Sequence, residues 1–266
     1  MNHSHFSAFR ELHFTPYPFL LPNAWDAASA VLFQQAGATA IATSSAALAW
    51  SLGYADGGAL PRAELMAAVK RILRVLQVPL TIDLEDGYSD NPNEVAALVV
   101  DIMQCGVAGI NLEDGVNTPA MLVDKIVATR SALAGTPLFI NARTDVYLSQ
   151  LAQGDAARDL SCERLRQYLR AGADAGFIPG MTGLADVALV AAEIGMPLNL
   201  MVLSGMPAIS ELAAAGAKRF TVGPAIFQAS YAHAQLLTKK FLHEQATEAL
   251  FSDALPYEWM NARFLK

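Results

Sequence analysis

Short apolar runs recur along the chain at 19–22, 40–43, 80–84, 109–112, 138–142, 175–178, 198–202 and 219–222. Most are separated by ten or more residues whose apolar positions return every three or four residues. The alternation predicts strands joined by crossover helices, and therefore a parallel sheet buried on both faces. Eight strands spread evenly over 266 residues predict an α/β fold of the (β/α)8 barrel type, which takes about 250 residues. An open doubly wound sheet offers no reason for eight units to use the chain so evenly. Gly37, Gly106, Gly135, Gly172 and Gly216 fall where helices should end, and Pro79, Pro137 and Pro197 stop helices before strands three, five and seven.

Three helical stretches follow the eighth strand, at 227–237, 239–250 and 257–264, more than barrel closure requires. They carry Phe227, Tyr231, Leu236, Phe241, Leu242, Phe251, Trp259 and Phe264. So many apolar residues on extra helices predict an oligomerisation surface. The expected organisation is one barrel domain over 1–266, with 227–266 as a helical tail.

Composition narrows the function. The chain is 53% hydrophobic and 16% charged, with a net charge of −7 and no basic run, so no electrostatic footprint for nucleic acid or an anionic membrane exists. The uncharged stretch 27–55 is interrupted by Gln34, Gln35, Gly37, Ser44 and Ser45, which favours a helix followed by a strand over a membrane span. Residues 1–16 contain no apolar core of a secretory signal. Two cysteines, Cys105 and Cys162, make no disulfide framework. A cytoplasmic enzyme with reduced thiols is the expectation.

The candidate chemistry lies at the C-terminal strand ends, where such barrels build their active sites. Asp83 and Glu85 end strand three, Asn111 and Glu113 strand four, and Asn141 and Arg143 strand five, while Asn199 lies on strand seven. Residues two apart on a strand share a face, so these pairs converge, and like-charged carboxylates require a cation or a raised pKa. Hard oxygen donors suit Mg2+ or Mn2+. The competing reading is a salt-bridge layer on Arg143. All five histidines lie before strand one or after strand eight, which removes a histidine metal site and a Ser-His-Asp triad. No lysine falls on a predicted strand, so no Schiff base is expected. Ser44, Ser45 and Ala46 offer backbone N–H groups for an anion. Asp56, in the glycine-rich loop 52–58, reads on the loop alone as an exposed turn acid, and Tyr88 as a loop-packing aromatic or a proton donor.

In this order, Leu21-Pro22-Asn23-Ala24-Trp25-Asp26, the serine-rich second strand with Leu52-Gly53 and Asp56, Asp83-x-Glu85-x-Gly87-Tyr88, Gly109-x-Asn111-x-Glu113-Asp114 and Asn141-Ala142-Arg143 resemble the isocitrate lyase and phosphoenolpyruvate mutase superfamily. The resemblance implies a Mg2+-dependent barrel that breaks or rearranges a C–C or P–C bond beside a 2-oxo carboxylate. It implies Asp83 as direct metal ligand, with Glu85 and Glu113 holding metal-bound waters. Ser44, Ser45 and Ala46 would cradle the substrate carboxylate, Arg143 would neutralise it, and Asp56 would stand near the reacting centre. It further implies a homodimer or homotetramer that exchanges a late helix.

Two features depart from the family pattern. The lyases carry a Lys-Lys-Cys-Gly-His loop where this chain has Gly115-Val116-Asn117-Thr118-Pro119, and Glu85 stands where aspartate is common. The expected function is a lyase or mutase-like enzyme on a small 2-oxo or phosphono carboxylate, including phosphonopyruvate hydrolase or mutase and oxaloacetate decarboxylase or hydrolase. The alternative is a non-catalytic barrel that binds 2-oxo acids as a sensor or assembly subunit.

Overall fold

Strand residues alternate between two apolar environments, and that alternation builds the architecture of the computed structural model, which describes residues 2–265. The strands are β1 (Phe19–Leu21), β2 (Asn23–Ala24), β3 (Ile41–Thr43), β4 (Leu80–Asp83), β5 (Gly109–Glu113), β6 (Phe139–Arg143), β7 (Ala175–Phe177), β8 (Leu198–Met201) and β9 (Ala217–Thr221). All pair in parallel. β1 pairs with β9 and β2 with β3, and only Pro22 separates β1 from β2. The first predicted strand is thus one barrel strand broken at a residue without an N–H, and its two halves bring the ends of the sheet together. The eight predicted runs and the barrel agree.

Ile82, Ile110, Leu112, Ile140, Leu200 and Phe220 face the helices and belong to the larger core. Their neighbours in sequence face inward, where Phe19, Leu21, Ala40, Ala42, Phe139 and Ala175 form a second cluster around Phe9. Each buried large apolar side chain contributes about 1.5–3 kcal/mol. The glycines expected at helix ends have positive φ. Gly172, at φ 112°, ends the helix Gly154–Ala171 with its N–H on the Leu169 carbonyl.

A first helix, α1 (Asn2–Leu12), was not expected, because its composition is polar overall. Its inner side inserts Phe9, fully buried, against Phe19 and Phe139 at centroid distances of 5.8 and 5.4 Å. His13 follows, stacked on Phe139 at 4.2 Å. A Cβ on Gly109 would lie 3.0 Å from Phe9 Cε1 and 3.0 Å from the Phe139 carbonyl oxygen, so the ring enters only because β5 starts with glycine.

Lys218, expected just before the last strand, lies within β9 beside a register shift. Its side chain lines a cavity with Pro197 and Gly216, residues that precede β8 and β9, so it does not serve the C-terminal face. Lys266 lies outside the described residues.

The chain divides into two compact units, Met1–Gly223 and Pro224–Lys266. The second contains the helix Ala225–Lys239, a π-helical turn Lys240–Glu244, a 3-10 turn Glu248–Leu250 and the helix Tyr257–Ala262. The middle helical stretch predicted there is therefore two short turns. Tyr231, Leu236, Phe241, Leu242, Phe251 and Tyr257 are exposed, whereas Phe227 is buried and stacks on Tyr231. Among the described residues, no helix is long and apolar enough to cross a membrane.

Gly109→Ala should lower the unfolding free energy by about 1–3 kcal/mol, the usual cost of an overpacked methyl. Urea denaturation checks this, and a neutral result would mean that Phe9 does not plug the barrel.

Candidate active site

Three neighbouring strands end in charged residues: β4 in Asp83, β5 in Glu113 and β6 in Arg143. Register places Asp83 opposite Asn111 and Glu113 opposite Arg143. Local sequence makes each strand, and parallel pairing brings the ends together.

Arg143 holds the cluster. Its Nη1 lies 2.8 Å from Glu113 Oε2, while Nε and Nη2 donate to the two oxygens of Asp145 at 2.6 and 2.9 Å. Two of the five guanidinium N–H groups are engaged by Asp145, and the Glu113 contact is an ion pair without a hydrogen bond to Oε2. Burial works against the arginine's charge, but Glu113 and Asp145 outweigh it and raise its pKa. Burial raises Glu113, and against the pull of Arg143 the charges of Asp83, Asp145 and Glu85 push the same way, to about 9. Burial likewise raises Asp145.

Glu85 reaches the site by a different route from the one expected. The strand stops at Asp83, and Glu85 has φ 51°, so strand alternation does not place it. The turn is closed by the Gly87 N–H on the Leu84 carbonyl at 2.8 Å. Gly87 is required there, because a Cβ would lie 2.6 Å from Val95 Cγ1. The Glu85 carboxylate accepts from Tyr88 Oη at 3.0 Å and from the Gly58 amide. Burial first, then Asp83 and Asp56, raise its pKa against the Tyr88 hydrogen bond.

Asp83 is more loosely held. Its carboxylate meets the Ser45 amide at 3.4 Å and Asn111 Nδ2 at 3.5 Å. The Asn111 oxygen accepts from Asn141 Nδ2 at 2.9 Å and Arg219 Nη2 at 3.2 Å, which fixes its amide with Nδ2 toward Asp83.

The remaining expected residues spread around this centre. Ser44 caps the short helix Ser45–Ser51 by accepting from the Ala47 amide at 3.3 Å, and Ala46 is buried beside it. The residues expected to form an anion nest therefore lie at the start of that helix, with the Ser45 amide directed at Asp83. Asp56 is exposed on the loop but near enough to raise Glu85 and Tyr88. Gly57, Gly58, Glu85, Tyr88, Glu113 and Asn117 line a cavity of about 410 Å³. Asn199 is fully buried opposite Arg219, and both its amide atoms lack hydrogen-bond partners, so it is not open to a ligand in this conformation.

Sequence reasoning assigned no role to Asp114, which it named only within a motif, and missed Asp145 and Arg219. Asp114 accepts from Arg164, Tyr168 and the Asp145 amide at 2.8, 2.6 and 2.9 Å, anchoring the segment that carries Asp145. The signal for both was adjacency: Asp114 follows Glu113, and Asp145 follows Arg143 by two. Arg219 gave no such signal.

Among the described residues, no three histidine, cysteine or carboxylate side chains gather closely enough to enclose a metal ion by themselves. The arrangement fits the mode of Mg2+ that uses one or two carboxylates and keeps several waters. Asp83, with only two long contacts, has lone pairs to give, while Glu85 and Glu113 are already hydrogen-bonded or ion-paired. The donor set is entirely hard oxygen.

Fold and site together define a (β/α)8 barrel enzyme with an acid cluster around one arginine at the C-terminal strand ends. Residues 9–242 match the phosphoenolpyruvate phosphomutase family model, and the chain belongs to this family, within the isocitrate lyase and phosphoenolpyruvate mutase superfamily of lyases and mutases. An uncharacterized protein of Mycobacterium tuberculosis is 33% identical over 264 residues, 97% of this chain and 96% of its own. The 2-methylisocitrate lyase of Escherichia coli is 29% identical over 210 residues, 74% of this chain and 69% of that enzyme. A crystal structure from Burkholderia cenocepacia J2315, provisionally assigned as a phosphonomutase, is 35% identical with a TM-score of 0.85, covering 89% of this chain and 99% of that one.

The raised Glu113 has a consequence for stability. An acid whose pKa is higher folded than unfolded favours the folded state at low pH, and that advantage is lost as pH rises between the two values. For Glu113 the window runs from 4.5 to about 9. Glu113→Gln should flatten the fall in melting temperature across this window and melt higher than the parent at pH 8 in EDTA. An unchanged pH slope would show that Glu113 is not strained.

Proposed function

We propose that the chain is a Mg2+-dependent enzyme that cleaves or rearranges a C–C or P–C bond beside a small 2-oxo carboxylate, through an enolate whose charge Arg143 helps to hold. The observation that carries this reading is the buried guanidinium of Arg143, hydrogen-bonded to Asp145 and ion-paired with Glu113 at the strand ends. A buried, oriented cation at the strand ends stabilises charge that develops in the transition state more than charge already present in the substrate.

Asp83 would hold the metal directly, and Glu85 and Glu113 would hold its waters. Bound there, the ion supplies Lewis-acid stabilisation of the same developing charge. Ser44, Ser45 and Ala46 would meet the substrate carboxylate at the start of their helix, and Asp56 would close over the reacting centre from the rim. The Glu85–Tyr88 hydrogen bond orients the phenol toward the carboxylates, so Tyr88 can position a proton or a water at that wall. Cys105 ends the helix Pro92–Gln104 and Cys162 is buried in the helix Gly154–Ala171, so neither replaces the loop cysteine of the lyases. This favours 2-oxo acids and phosphonates, including phosphonopyruvate and oxaloacetate, over isocitrate-type substrates.

Pyruvate and phosphate release from oxaloacetate, phosphonopyruvate and 2-methylmalate, each with and without Mg2+, tests the proposal. Turnover should require Mg2+, vanish in Asp83→Ala and fall by about 10²–10³-fold in Arg143→Met. The reading fails if no substrate turns over and calorimetry detects no Mg2+ binding at millimolar concentration. Metal-dependent binding of oxalate without turnover would instead indicate a 2-oxo-acid-binding barrel.

The exposed apolar residues of 224–266 support a homodimer or homotetramer with exchange of a late helix. Light scattering should give a mass of two or four chains, and a monomer would refute the exchange.

A further inference from the structure

We propose that Asp114, Arg164 and Tyr168 are positioning residues for Arg143, a buried clamp through which the helix Gly154–Ala171 sets where the guanidinium stands in the acid cluster. Its effect on rate rests on the reading of Arg143 as the residue that helps to hold the developing charge. Glu113 and Asp114 are adjacent but serve different surroundings. Glu113 pairs with Arg143 in the cluster, whereas the Asp114 side chain is 0% exposed and pairs with Arg164.

Asp114 grips the backbone on both sides of Thr144. Its own N–H donates to the Arg143 carbonyl at 3.2 Å, and its Oδ1 accepts from the Asp145 amide at 2.9 Å. The Asp145 carboxylate then returns to hold the Arg143 side chain, accepting from Nε at 2.6 Å and from Nη2 at 2.9 Å. These contacts close a ring that runs from Asp114 through both backbones to the guanidinium. A bidentate carboxylate fixes the plane of an arginine, and Asp114 fixes the backbone from which both members of that pair project.

What holds Asp114 comes from far along the chain. Its Oδ2 accepts from Arg164 Nη1 at 2.8 Å and from Tyr168 Oη at 2.6 Å, partners 50 and 54 residues away. Arg164 and Tyr168 are four apart on the helix Gly154–Ala171, so they share a face, and both are buried. Arg164 neutralises the carboxylate, which lets Asp114 sit out of water beside the cluster. Burial, then the charge of Asp114, pushes the Tyr168 pKa up, so the phenol keeps the hydrogen it donates. Stability alone gives little reason for such a group, because apolar residues of similar volume often replace a buried ion pair without loss. Direction is what the hydrogen bonds add, and they add it under the arginine of the cluster.

Three variants of the full chain test the clamp. Tyr168→Phe removes one hydroxyl and keeps the ring, and Asp114→Asn removes the charge. Ser161→Ala is the control, since it removes a buried hydroxyl of the same helix that bonds the Ala157 carbonyl at 2.7 Å. The first readout needs no substrate. The Arg143 Nε–H, identified in proton–nitrogen correlation spectra by its loss in Arg143→Met, should exchange slowly with solvent in the parent, where Asp145 holds it. Exchange should quicken about tenfold in Tyr168→Phe and in Asp114→Asn, as loss of a hydrogen bond to a charged group allows, and stay unchanged in Ser161→Ala. The second readout is turnover of oxaloacetate and phosphonopyruvate with Mg2+. There kcat should fall about three- to tenfold in Tyr168→Phe and about 10²-fold in Asp114→Asn. KM should hold, because a displaced guanidinium is missed only in the transition state. Ser161→Ala should keep the parental kcat whatever its melting temperature. Parental exchange rates in Tyr168→Phe overturn the proposal, and so does equal quickening in Ser161→Ala or a rise in KM at constant kcat. If the parent turns over neither substrate, the reading of the reaction fails and the exchange rates alone decide the clamp. Tyr168→Phe carries the test should Asp114→Asn not fold.

Discussion

The constraint on which the site depends is the cost of keeping several carboxylates out of water around a single guanidinium. Glu113 and Asp145 share Arg143 directly, and Asp83 and Glu85 add their charges to the same volume. Burial makes each negative charge expensive, and one cation cannot offset them all. The protein tolerates this because the surrounding scaffold leaves the groups nowhere to go. Asp114, itself locked by Arg164 and Tyr168, holds the backbone under Asp145. Lys125 donates to the Asp86 carbonyl at 2.7 Å and fixes the turn that presents Glu85. A site strained in this way gains from a divalent cation, so the tension and the proposed chemistry have one origin.

The scaffold sorts its residues by a simple rule. Outward strand positions are aliphatic and pack under the helices, whereas inward positions change character along the barrel. Phe9, Phe19 and Phe139 fill one end. Asn111, Asn141, Asn199 and Arg219 occupy the buried middle, and the acid cluster crowns the other end. The middle layer connects to function through Asn111, whose oxygen is fixed by two donors so that its amide hydrogen faces Asp83. Several polar atoms of this layer, including Arg219 Nε and Nη1 and the amide of Asn199, have no protein partner. Polar groups so deeply buried ordinarily enclose ordered water.

The two ends of the barrel therefore pose different problems. At the C-terminal end negative charge is in excess around one arginine. At the N-terminal end Phe9 of α1 and His13 just after it plug the barrel, and the cavity beside the plug is lined by Arg10 and Lys218. The polar layer lies between them, and Arg219 faces both, since its charge acts on Asp83 as well as on His13.

The eight-strand rhythm, the helix-ending glycines and the placement of Asp83, Glu113 and Arg143 on strand ends were all legible in the sequence. They follow from periods of two and 3.6 residues, which a linear chain displays by itself. The position of Glu85 was legible in outcome but not in cause, because a left-handed turn after Asp83, imposed by packing of Gly87 on Val95, replaced the strand geometry. Arg219 was invisible, since its partner Asn111 is 108 residues away and only closure of the barrel makes them neighbours. The same holds for α1, whose polar composition hid Phe9, a ring that packs against β5 only because that strand begins with Gly109. Local patterning determined which residues stand at the strand ends. Tertiary closure decided which of them share a proton, a cation or a cavity, because those relations depend on distances between segments that no local period encodes.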